Sequence, residues 1–487
     1  MPDFKYRFQM YKELHKLIPT IYAEARKRAD EIGITPELKG KLGLTGAVSS
    51  CHALLSKEVS RAIEDASRKV IENKFLAEDI REIVKDVYGD EYDAAPVNTC
   101  EAALWVSFDT LVSPPMQGRG DNYRARYIAP YERHLHHHGG YGRPFPGRYK
   151  DIFADRGVTA GELGFYGKRL DNVDAIYVPM AGVKYQAHGP KGHPAILLSN
   201  HKSAETLKDI SAVAHRHAAF LTGISSLGYD SQGYGYGEKD KKGVPLFQQG
   251  LSKLAKEYGV PYIVDNAWGT PFIGTDPRAI GADVMAYSMD KCSGAPTVGL
   301  IIGKEDSMVP IRRALGYHSD RSGSGSAYGK AAYVTGDPGK EALVGLIAAL
   351  KILRDKPNKM KAPLDKLYKI CKEEFKALPA KFQKDIIISK STNSLAVEIN
   401  YENTWKDGKM GIPIFAIEDM YSGTNIFQTG MMQMGIIPTI AYDGNIFISM
   451  GLGTLDEEGN LMENETRLIV KAQVELIKIV CKHAGVA

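Results

Sequence analysis

Cysteine is sparse in this 487-residue chain. There are five, Cys51, Cys100, Cys292, Cys371 and Cys481, and no two form a CxxC pair. An odd, scattered set supports neither a disulfide framework nor a zinc knuckle, and reduced thiols in a cytosol are expected. Charge of one sign is also nearly absent. Lys plus Arg number 62 against 58 Asp plus Glu, a formal net charge of +4. That excess does not point to nucleic acid or to a membrane surface. No run approaches the roughly 20 apolar residues that a membrane-spanning helix requires. The opening residues, MPDFKYRFQMYKELHK, lack a basic start followed by an apolar stretch. No signal peptide is therefore expected, and the protein reads as cytoplasmic. No internal repeat is present.

Hydrophobic residues make up 44% and charged residues 25%, an ordinary soluble balance. The length is too great for one small core and predicts a large domain with a smaller one. Leu14, Leu17, Ile18, Ile21, Tyr22 and Ala25 predict a helix over 12–32. Val59, Ala62, Ile63, Ala66 and Val70 predict a second over about 55–75. From about 94 to 335, short apolar runs (AIYVPM, AFLTGI, PYIVDNA, DVMAYSM, TVGLIIG) alternate with helical or Gly-rich stretches. This pattern predicts buried strands of a mainly parallel sheet. Beyond about 340 a helix, two strands (SLAVEIN, NIFISMG) and a final helix over 464–483 predict a smaller α+β domain. The expected division is a helical arm over 1–42, a large domain over 43–355 and a small domain over 356–487.

Two stretches read as loops. Residues 113–150 are dense in Gly, Pro, Arg, Tyr and His, and a long loop inside a compact domain is commonly functional. Residues 228–243, GYDSQGYGYGEKDKKG, are similar, with a lid hinge and a plain surface loop both open. The four histidines His134, His136, His137 and His138 are too closely spaced to converge on one ion, so no metal is expected.

One constellation carries chemistry. PYIVDNAWG is an apolar strand ending in Asp265, and DVMAYSMDK is a second strand ending near Ser288 and Lys291. Upstream, Asn98, Thr99 and Cys100 open an apolar helical run. An amine that can form an imine, a carboxylate to keep a pyridine nitrogen protonated, and a capped helix N-terminus for a phosphate are what pyridoxal 5′-phosphate requires of a protein. Singly, each has a plain alternative. An Asp after a strand usually caps a turn, and a Lys there is usually solvated. Cys292 beside Lys291 and Trp268 after Asp265 are expected to be packing residues.

These residues resemble the pyridoxal-phosphate-dependent fold type I enzymes, and more narrowly the selenocysteine synthase (L-seryl-tRNA selenium transferase) family with its tRNA-independent relatives. The similarity is carried by GLTGAVSS (43–50), PVNTCEAAL (96–104), HLHHHGGYGRPF (134–145), AYSMDKCSGAPTVGLIIGKED (286–306), KAAYVTGDPGKEALVGLIAALKIL (330–353) and AYDGNIFISMGLGTLDEE (441–458). It spans about residues 43–458 and matches poorly between about 105 and 215. The resemblance implies an α/β large domain with a mainly parallel seven-stranded-type sheet, a small C-terminal α+β domain, and at least a homodimer. It implies Lys291 as the imine lysine and Asp265 as the partner of the pyridine nitrogen. Asn98, Thr99, Cys100 and Ser288 become the phosphate cup, with Arg321 reaching a partner's phosphate and His134 or His138 stacking on the ring.

The strand FISMGLG has no Arg to clamp a substrate carboxylate. The 113–150 stretch is the expected supplier, through Arg119, Arg124, Arg126, Arg133, Arg143 and Arg148, with Arg133 and Arg143 the substrate-binding candidates. Only about 42 residues precede LTG, so a tRNA substrate is not expected. The expected activity is a lyase or transferase acting on a small, anionic amino acid or amine through an external aldimine and a Cα carbanion, with β-elimination or β-replacement. The alternatives are an aminotransferase, cysteine desulfurase, aldolase or decarboxylase, or a non-catalytic tRNA- or partner-binding protein of the same fold.

Overall fold

The computed structural model describes residues 7–45, 55–113, 125–131, 143–144, 170, 172–183, 197–315, 336–415, 426–437, 440–442 and 444–486. Two sheets organise them. The larger runs in the order β2 (Tyr92–Val97), β9 (Gly299–Lys304), β8 (Val284–Ser288), β7 (Tyr262–Asp265), β6 (Leu221–Leu227), β3 (Ala125–Tyr131), β5 (Val173–Pro179) and β4 (Arg143–Pro144). Every neighbouring pair is parallel except those of β9 with β2 and with β8. Seven of the strands have four or more residues and β4 has two, which agrees with the expected mainly parallel sheet. The strands are buried along almost their whole length, as a sheet covered on both faces requires.

The second sheet runs β10 (Ile387–Ser391), β11 (Ala396–Asn400), β14 (Asn445–Met450), β1 (Leu42–Thr45) and β12 (Ile436–Ile437), with β13 (Ile440–Tyr442) also on β14. The chain's first strand therefore closes a sheet built from its last hundred residues. Leu44 and Thr45 pair with Met450 and Ser449. Helix α1 (Arg7–Ile32) packs on the terminal helix Glu463–His483, with Arg28 Nε donating to Glu475 Oε2 at 2.8 Å.

Three local expectations are corrected. The helix foreseen over 55–75 is two: α2 (Lys57–Ser67) and α3 (Asn73–Tyr88). Val70 lies in the short link between them and is fully exposed. The 113–150 stretch is not a loop throughout, since its centre is β3, an inner strand buried between β5 and β6. Residues 228–243 are not a plain surface loop either. Tyr229, Tyr234 and Tyr236 are buried, and Tyr229 stacks on Tyr234 with centroids 3.9 Å apart.

Among the described residues, no helix is long and apolar enough to cross a membrane. Cys100, Cys292, Cys371 and Cys481 are free and buried.

Candidate functional site

Strand register brings distant parts of the sequence to one edge. Asp265 ends β7 and pairs with Ala286 of β8. Ser288 ends β8 opposite Gly299, and Gly299 faces Val97, the last residue of β2. Strands β2, β8 and β7 run in the same direction, so their carboxyl ends share the edge at which open α/β sheets bind ligands.

Asp265 is 2% exposed. Its Oδ1 accepts from the Ala267 amide at 3.1 Å, and its carbonyl accepts from the Gly228 amide at 2.7 Å. Lys291 follows β8 on a turn closed by its amide to the Ser288 carbonyl at 3.3 Å. Its half-buried ammonium lies 5.8 Å from the centroid of the Trp268 ring. Trp268 is buried against Tyr229, Tyr234 and Phe447, so it both packs and faces the lysine. The Ser288 hydroxyl donates to Asp290 Oδ1 at 2.5 Å. Asp290, buried beside Lys291, was not foreseen, because a carboxylate in a post-strand turn reads as solvated.

Helix α4 (Cys100–Leu111) begins just past β2. Thr99 caps it in extended conformation, its hydroxyl accepting from the Ala102 amide at 3.1 Å, as the sequence predicts. Asn98 is held by its amide to the Gly336 carbonyl at 2.6 Å. Gly299 packs so tightly on this start that a Cβ there would lie 2.2 Å from the Thr99 carbonyl oxygen and 2.8 Å from the Cys100 amide nitrogen. Both contacts are to backbone and cannot give. Gly299→Ala is thus expected to push α4 off the sheet edge and to destabilise the fold by about 1–3 kcal/mol, measured by chemical denaturation.

Burial pushes the Cys100 thiol well above its usual range, helped by the charge of Asp265 and opposed by that of Lys291. Burial pushes the Cys292 thiol up to about 12, which leaves it a poor nucleophile at neutral pH. The capped helix start, the glycine-tight cradle, the buried carboxylate and the lysine fit the phosphate, ring nitrogen and aldehyde of pyridoxal phosphate.

Other candidates fall elsewhere. His134, His138, Arg133 and Arg321 lie outside the described residues. Arg126 opens β3 at the opposite edge, against His217 at 3.0 Å and the Phe220 ring at 4.5 Å. The backbone of Arg143 pairs with Asp174 near the start of β5, also at the far edge, five residues or about 17 Å from the site edge. A residue missed in the sequence is His201. It is partly buried, with Nδ1 donating to the Gly235 carbonyl at 2.6 Å and its ring edge-on to Phe247 at 4.8 Å. Burial lowers its pKa. A lone histidine two residues ahead of the helix Ser203–His217 gives no signal in the sequence.

Residues 240–395, which include Asp265, Ser288 and Lys291, match the family described as aminotransferase class-V. A 5′-C-glycyluridine monooxygenase-decarboxylase from Streptomyces sp is 35% identical over 124 residues, covering 25% of this chain and 26% of that protein. The match thus spans about a quarter of that curated relative. An S-selective transaminase from Arthrobacter sp. superposes with a TM-score of 0.51 at 14% identity, covering 88% of this chain and 87% of the other. The SepCysS–SepCysE N-terminal domain complex gives 0.50 at 15% identity, with coverages of 92% and 96%. Ureidoglycine–glyoxylate aminotransferase from Bacillus subtilis gives 0.50 at 11%, with coverages of 92% and 94%. These likenesses to solved structures speak to the fold.

Proposed function

We propose that this chain, whose fold is similar to those of aminotransferases, is a pyridoxal-phosphate-dependent lyase or transferase that acts on the Cα proton of a small amino acid or amine and then eliminates or replaces a group at Cβ. The observation that carries this reading is the convergence of Asp265, Lys291 and the Thr99-capped helix at one sheet edge. Bound pyridoxal phosphate supplies an electron sink for charge developing at Cα. The Asp265 carboxylate holds the proton on the pyridine nitrogen. The Lys291 amine would hold the aldehyde end of the cofactor and, when free, would be the base that accepts the Cα proton. Asn98, the Thr99 hydroxyl and the first amides of α4, Cys100 among them, hold the phosphate. The Ser288 hydroxyl has a single proton and gives it to Asp290, so its part is to orient that carboxylate.

Arg133 is the remaining candidate for an acidic group on the substrate. In sequence it follows the last residue of β3 by two positions. The choice of Cβ chemistry rests on the motifs similar to selenocysteine synthase, and so does a homodimer in which His134 or His138 and a partner's Arg321 complete the site. Decarboxylation is the second reading, favoured by the 35%-identical stretch of the monooxygenase-decarboxylase.

Borohydride reduction followed by peptide mapping is expected to place the trapped cofactor on Lys291. Product analysis with anionic amino acids then separates the branches. Ammonia with a keto acid, or a β-substituted product, supports the first reading. An amine with carbon dioxide supports the second. A cofactor trapped on another lysine sinks both assignments.

A further inference from the structure

The hairpin turn between β10 and β11 reaches out of the second sheet to the residue beside Asp265. There Asn393 meets Asn266, 1% and 0% exposed, and the two side-chain amides bond reciprocally. Asn393 Nδ2 donates to Asn266 Oδ1 at 2.8 Å, and Asn266 Nδ2 donates to Asn393 Oδ1 at 3.2 Å. Asn393 Nδ2 also donates to the Gly228 carbonyl at 2.9 Å, and its Oδ1 accepts from the Thr275 amide at 3.0 Å. Two donors and two acceptors are all that a carboxamide offers, and all four are used. The backbone joins in, since the Asn393 carbonyl accepts from the Thr270 amide at 2.8 Å.

The Asn266 side chain occupies a slot with no slack. A Cβ on Gly228 would lie 2.2 Å from Asn266 Oδ1, and one on Gly269 would lie 2.1 Å from Asn266 Nδ2. Gly228 also donates its amide to the Asp265 carbonyl at 2.7 Å, and Gly269 donates to the Asn266 carbonyl at 2.7 Å. The groups that grip Asn266 are thus the groups that set the turn presenting Asp265. The hairpin has a second anchor, Ser391 Oγ donating to Asp230 Oδ1 at 2.8 Å, so the whole turn is docked on the larger sheet's loops.

We propose that Asn393 is a positioning residue for Asp265, fixing through Asn266 the direction in which that carboxylate faces the cofactor ring, so that the second sheet is built into the cofactor site. This rests on the reading of Asp265 as the partner of the pyridine nitrogen. No residue other than asparagine fits. Aspartate keeps the acceptors and loses both donors, glutamine is one methylene too long for the slot, and alanine takes a partner from the Asn266 side-chain oxygen and nitrogen, the Gly228 carbonyl and the Thr275 amide.

The test uses holoenzyme of wild type, Asn393→Asp, Asn393→Ala, Asp265→Asn and the double variant Asp265→Asn/Asn393→Asp. It reads the pH midpoint of the visible cofactor band and the rate of pyridoxal-phosphate loss on dilution, with thermal midpoints as the control. Asn393→Asp, which preserves shape, is expected to move the band's midpoint in the same direction as Asp265→Asn. It should speed cofactor loss by about tenfold, as expected for one displaced charge-assisted bond, and should add little to Asp265→Asn in the double variant. Asn393 variants that lose thermal stability while keeping the wild-type band and cofactor retention would show a structural role alone and overturn the proposal. Full additivity in the double variant would also overturn it. If Asp265→Asn itself leaves band and retention unchanged, the reading of Asp265 fails first, and that result is visible without any Asn393 variant.

Discussion

Lys291→Ala is expected to fold as the wild type does, to show no visible cofactor band, and to turn over at least about a thousandfold more slowly. The magnitude follows from the two tasks given to one amine. A positioned general base contributes about 10²- to 10⁴-fold, and covalent attachment of the cofactor is lost as well. Folding should be spared because Lys291 makes no ion pair among the described residues. Its ammonium lies over the face of Trp268, 5.8 Å from the ring centroid. An exposed or half-buried cation over a ring contributes about 0.5–1 kcal/mol. Absorbance before and after borohydride, single-turnover kinetics and a thermal melt together check the claim. An Ala variant with a reducible visible band would move the imine to another lysine. An Ala variant that melts far below the wild type would make Lys291 structural.

Arg312→Ala is expected to do the reverse, damaging stability while leaving the cofactor band of the surviving folded protein intact. Arg312 is 1% exposed. It bonds Asp93, which is fully buried, and donates to Glu305 at 2.8 and 3.1 Å. Removing one partner of a buried ion pair typically costs about 3–5 kcal/mol because the other charge is left uncompensated. Arg81 still holds Asp93 through two bonds of 2.8 and 3.0 Å, so the lower end, about 3 kcal/mol, is expected in chemical denaturation. Lysine should not rescue, since it cannot bond two carboxylates with a planar fork. The cluster sits at the start of β2, four residues before Val97 and at the edge away from Lys291.

The same cluster sets an acid limit. Hydrogen bonding to Arg312 holds Glu305 down to about 2, against 4.5 when free. A carboxylate whose folded pKa is depressed adds stability that is fully present above the unfolded value and is lost as pH falls toward the folded one. Stability should therefore decline between about 4.5 and 2. In Arg312→Ala the Glu305 share of that decline should vanish, which denaturation curves at stepped pH would show.

Much of this protein was determined by its sequence alone, wherever the signal sat within a few residues. Apolar runs of four to seven residues marked β5 to β9, β11 and β14. Thr99 ahead of an apolar helical run marked the cap, and Asp265 and Ser288 were legible as strand ends, with Lys291 three residues past the second. Capping, periodicity and strand length are local physics, so a linear reading can recover them. The tertiary structure decided what depends on remote partners. β3 hides in a stretch rich in Arg and Tyr, and its Pro130 argues against an inner strand until β5 and β6 are seen on either side. The Tyr229–Tyr236 segment looks like a surface loop because its burial is supplied by Trp268 and Phe447, the latter over 200 residues away. β1 finds its partner in β14, some 400 residues on. Asn266 and Asn393 are ordinary amides in the sequence, and only docking of a hairpin 127 residues downstream saturates both and ties them to Asp265. Hydrogen bonds and burial between distant segments leave no periodic trace in the chain, because the residues that satisfy them are chosen by the fold and not by their neighbours in sequence.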